Sequence, residues 1–144
     1  VAMFTKRATD DDRDSQIEIA PDSSATTDLT LALFRTPGER GITGVEFAEY
    51  SDTASYPAPM PQTDEEGLEL SYWATISAAD SEWEAPEQVD VLSEPMESPD
   101  TGLNTLLVSR NVPGTASPEL VAQTAANSER AFSFAFLLPS EATL

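Results

Sequence analysis

Residues 130–139 read Arg-Ala-Phe-Ser-Phe-Ala-Phe-Leu-Leu-Pro, and this stretch limits the fold more than any other. Phe132, Phe134, Phe136 and Leu138 alternate with Ala131, Ser133, Ala135 and Leu137. A period of two sends successive side chains to opposite faces of a strand, so three phenylalanines share one face and small or apolar residues the other. On a helix the same spacing would scatter the rings around the axis. With neither face polar, the segment is expected to be a central strand whose aromatic side supplies much of the core.

The same period recurs along the chain. Ile17 and Ile19 alternate with Gln16 and Glu18 in a strand expected over 15–20, and Leu29, Leu31 and Leu33 share a face over 29–35. Further strands are expected over 42–50, with a bulge near Ala48; over 68–77, with a bulge at Trp73; and over 88–93 and 103–111. Residues 2–6 read as a short first strand or as part of an arm over 1–14. Pro37-Gly38 and Pro113-Gly114 mark turns. Residues 51–67, with Pro57, Pro59 and Pro61, read as a long exposed loop, and 94–102 as an acidic one. Ser117-Pro118-Glu119 has a cap residue, a proline and an acid in the order that starts a helix, which predicts one short helix ending near Ala126. Seven or eight strands with one short helix, in a single domain spanning 1–144, define the expected class. It is an all-β antiparallel β-sandwich, a jelly roll in the first instance and an immunoglobulin-like sandwich in the second.

Charge is the second constraint. Asp and Glu number 26 against 7 Lys and Arg, for a net charge of −19, and Lys6 is the single lysine. Exposed like charges repel over a Debye length of about 30 Å at 0.01 M salt but about 3 Å at 1 M. Binding to nucleic-acid phosphates is disfavoured by sign. The longest apolar run is far below the roughly 20 residues that span a bilayer as a helix, so direct membrane contact is not expected. The opening residues lack the order of a secretory signal, though Val1 leaves room for a processed leader.

Chemistry-bearing residues are scarce. The sequence contains no histidine and no cysteine. It therefore has no Ser-His-Asp or Cys-His pairing, no thiolate ligand and no disulfide. Asp10, Asp12 and Asp14 alternate as the first three ligands of a calcium loop do. However, Ser15 replaces the required glycine, and Pro21 falls where the bidentate glutamate belongs. These residues, and Asp64, Glu65 and Glu66, read as solvated acids; no metal or cofactor is assigned. The expected role is non-enzymatic. Trp73 and Trp83 fit core or subunit-interface packing better than a sugar-stacking platform. Tyr56, Met60 and Trp83, in loops by this reading, are the candidates for apolar contact between copies.

Near-absence of lysine, abundant acids and small apolar residues resemble the proteins of salt-loving archaea. Length, strand count and composition together resemble the single-jelly-roll capsid and vertex proteins of icosahedral, membrane-containing haloarchaeal viruses. No residue motif carries over. The resemblance implies a virion subunit in contact with other capsid subunits, a homo-oligomer and, at a vertex, a pentamer. Two other roles remain open on the sequence: a carbohydrate- or surface-binding module, extracellular in high salt, and an acidic mimic of DNA.

Overall fold

In a computed structural model the chain is described over residues 9–12, 41–61, 64–76, 82–98, 102–114 and 117–140. The strands are β1 (Thr43–Tyr50), β2 (Thr53–Pro57), β3 (Glu66–Ile76), β4 (Trp83–Glu84), β5 (Asp90–Ser98), β6 (Leu103–Pro113), β7 (Val121–Ser128) and β8 (Arg130–Pro139). All pairings among the described strands are antiparallel. They form one sheet ordered β1-β8-β3-β6-β5 and a second ordered β2-β7-β4. The chain is thus an all-β sandwich, as its alternating pattern requires.

The aromatic strand is β8, and it lies inside the larger sheet between β1 and β3. Its two faces do different work. Ala131, Ser133, Ala135 and Leu137 are buried on the side of Trp73, Leu106 and Val108. These residues meet Tyr56, Trp83, Leu120 and Ala122 in the inter-sheet core. Small residues on β8 leave the room that Trp73 and Tyr56 fill. The phenylalanines point the other way. Phe132, Phe134 and Phe136 join Leu70, Tyr72, Ala74, Leu107 and Leu138 in a second cluster on the opposite face of the sheet. Phe134 stacks on Tyr72 with centroids 4.9 Å apart and lies 5.8 Å from Phe47. The aromatic side therefore builds its own core rather than the one between the two sheets.

Strand β3 pairs residue for residue with β6 from Glu66 to Ile76 and with β8 from Gly67 to Ile76. The expected bulge at Trp73 is absent. Leu70, Tyr72 and Ala74 take one face and Trp73 the other, and an inner strand buries both. Apolar residues on both faces had mimicked a slip in phase. In β1 the irregularity falls between Thr43 and Glu46, where Gly44 holds φ at 62°, and not near Ala48. Glycine adopts that left-handed conformation without a Cβ penalty, which is why the bulge settles there.

Two other expectations are corrected. Residues 121–128 are strand β7, not a helix. Ala122, Thr124 and Ser128 point inward, and β7 forms the middle of the smaller sheet, bonded to β2 on one side and β4 on the other. Pairing on both edges outweighs the intrinsic helix preference of alanine, as tertiary context does. Within 51–67, expected as loop, residues 53–57 form β2 and β3 begins at Glu66. Pro57 ends an outer strand, where its missing N–H does no harm. Strand β5 runs on to Ser98, through what reads as an acidic loop. The strands expected over 15–20 and 29–35, residues 2–6, most of the 1–14 arm and Asp14 lie outside the described residues.

Gly67 supplies a test of this packing. A Cβ built there would lie 2.2 Å from the Leu138 carbonyl oxygen and 2.9 Å from Pro139 Cα, both backbone atoms. Gly67→Ala is expected to destabilise the fold by about 1–3 kcal/mol, the usual range for overpacking. Gly41→Ala, where nothing lies within 4 Å, is the matched control and should be near neutral. Urea unfolding midpoints of the two variants provide the measurement.

Candidate interaction surface

The three residues that the sequence offers for contact between copies separate in the fold. Tyr56 is 0% exposed and Trp83 9%, whereas Met60 is 39% exposed. Tyr56 is held on all sides. Its hydroxyl donates to the Thr53 carbonyl oxygen and lies 2.9 Å from Ser128 Oγ and 3.1 Å from Thr124 Oγ1. Trp73 Nε1 donates to the Tyr56 carbonyl at 3.0 Å, and the Trp83 ring meets the Tyr56 ring edge-on at 5.5 Å. Tyr56 and Trp83 are therefore core residues of one copy, a correction to their place at an interface; Met60 stays at the surface. The buried tryptophans also present no face on which a sugar could stack.

Apolar surface is found elsewhere. Phe47 is 58% exposed on β1 and Val91 (50%) and Leu92 (46%) on β5, the two outer strands of the larger sheet among the described residues. Val91 pairs with Val108 and Ser93 with Leu107, so Leu92 is the extra residue of a bulge and the alternation of faces is broken there. In sequence these three side chains look like ordinary inward members of strands. Their exposure follows from the position of β1 and β5 at the edges of the sheet.

Beside β5 the surface opens into a cleft of 840 Å³ that runs to the start of β7. Val89, Pro118 and Leu120 give it an apolar lining, and Glu87, Asp90 and Glu119 bring three exposed carboxylates. Gln88 on its lining holds φ at 61°. Few residues other than glycine adopt that conformation, and such strain clusters at sites of function.

One further lining residue, Arg110, is already paired. Its Nε and Nη2 lie 2.9 and 2.8 Å from Glu69 Oε2, and both side chains are nearly buried. Glu69 and Arg110 stand opposite one another on β3 and β6. Sequence reading passed over this pair, yet a signal was present. Glu69 shares its strand face with Trp73, and Arg110 is the one basic residue within 103–111. Among the described residues, no group of three or more acids is placed to hold a metal ion. Asp10, Asp11 and Asp12 form a single 3-10 turn.

Compared with known families, curated proteins and solved structures, the chain finds no match. The class that fold and surface define is an acidic antiparallel β-sandwich with single apolar side chains exposed on its outer described strands.

Two predictions concern the interior around the cleft. Removing one member of a buried ion pair strands the other, at about 3–5 kcal/mol. Arg110→Met is expected to unfold at markedly lower urea, and Glu69→Leu combined with Arg110→Met to recover most of the loss, read from the same unfolding curves. Tyr50 supplies the second. Its hydroxyl donates to the Pro57 carbonyl oxygen and lies 3.2 Å from Ser133 Oγ. Burial pushes its pKa above the ordinary 10.0; the Ser133 hydrogen bond opposes that rise and the charge of Glu119 adds to it. The folded chain thus holds this proton more tightly than the unfolded one. The associated stability is complete below the ordinary value and is lost as pH rises through the folded value. Between about pH 9 and pH 11, the wild type should lose more stability than Tyr50→Phe, as compared by unfolding midpoints.

Proposed function

We propose that this chain is a non-enzymatic structural subunit of a virion from a halophilic host, a vertex (penton) or minor capsid component that works by associating with its own kind. The observation that carries the reading is the exposure of Phe47, Val91 and Leu92 on the two outer strands of one sheet, on a chain of net charge −19. In dilute salt that charge holds copies apart. In molar salt repulsion reaches only about 3 Å, and contact between apolar edges becomes favourable. The edges are different surfaces, so joining β1 of one copy to β5 of the next is a head-to-tail contact. Contacts of that kind close into rings when the rotation allows, as a vertex requires. The sandwich supports the reading by giving each subunit buried cores of its own. A carbohydrate-binding role is less well supported, because Trp73 and Trp83 are both in the core.

Light scattering over a salt and concentration series tests the proposal. The expected result is a discrete oligomer in molar salt that dissociates as salt falls toward about 0.1 M, where the Debye length is about 10 Å. Phe47→Asp, or Val91→Asp with Leu92→Asp, should shift it toward monomer without loss of fold. A chain that stays monomeric at every concentration in molar salt would remove the reading.

A further inference from the structure

We draw no further inference here: the strongest candidate, the cleft lined by Glu87, Val89, Asp90, Glu119 and Leu120 beside the starts of β5 and β7, carries nothing, because nothing in the structure shows what covers it.

Discussion

Strand β3 is the element on which the rest of the structure depends. It is bonded along its length to β6 on one edge and to β8 on the other, and it sends Trp73 into one core and Leu70, Tyr72 and Ala74 into another. An inner strand with both edges paired leaves no backbone group wanting a partner, so both of its faces can be given to packing. Gly67 marks how closely the neighbouring backbone approaches. The smaller sheet depends on this arrangement, since Tyr56 on β2 accepts the Trp73 indole hydrogen through its carbonyl and closes the inter-sheet space.

The two cores are chemically unlike. Between the sheets, Tyr56, Trp73 and Trp83 carry polar atoms into a space otherwise lined by Ala122, Ala131, Leu106 and Val108. The hydroxyl of Tyr56 and the indole of Trp73 find partners there, which fixes one arrangement of the rings. On the opposite face, five rings from Phe47 to Phe136 make a continuous aromatic band. That band reaches the outer strand β1, where Phe47 remains exposed. Apolar material thus runs from the interior to an edge, on a chain of net charge −19.

Legibility varied with the kind of information each residue carried. The bounds of β8 were readable to the residue, because strict alternation over 130–139 has one structural solution. Strand β6 was nearly as clear. The stretch 117–128 misled, because Ser117 and Pro118 imitate a helix start and the alanines after them tolerate either state. Tyr56 looked like a loop residue among prolines, yet it is the best-partnered side chain of the smaller sheet. The cleft was invisible. Its lining comes from three separated stretches, 86–90, 109–113 and 117–121, and no local pattern links them.

By itself the sequence determined the all-β class, the central aromatic strand, the lack of histidine and cysteine chemistry, and the charge that makes salt a variable. Periodicity and composition are local or additive quantities, and they survive without knowledge of neighbours. Which strands stand at an edge, which face of β8 meets the second sheet, and that Glu69 finds Arg110 were decided only in the tertiary structure. These are relations between segments far apart in the chain, and strand pairing across a sheet brings them together.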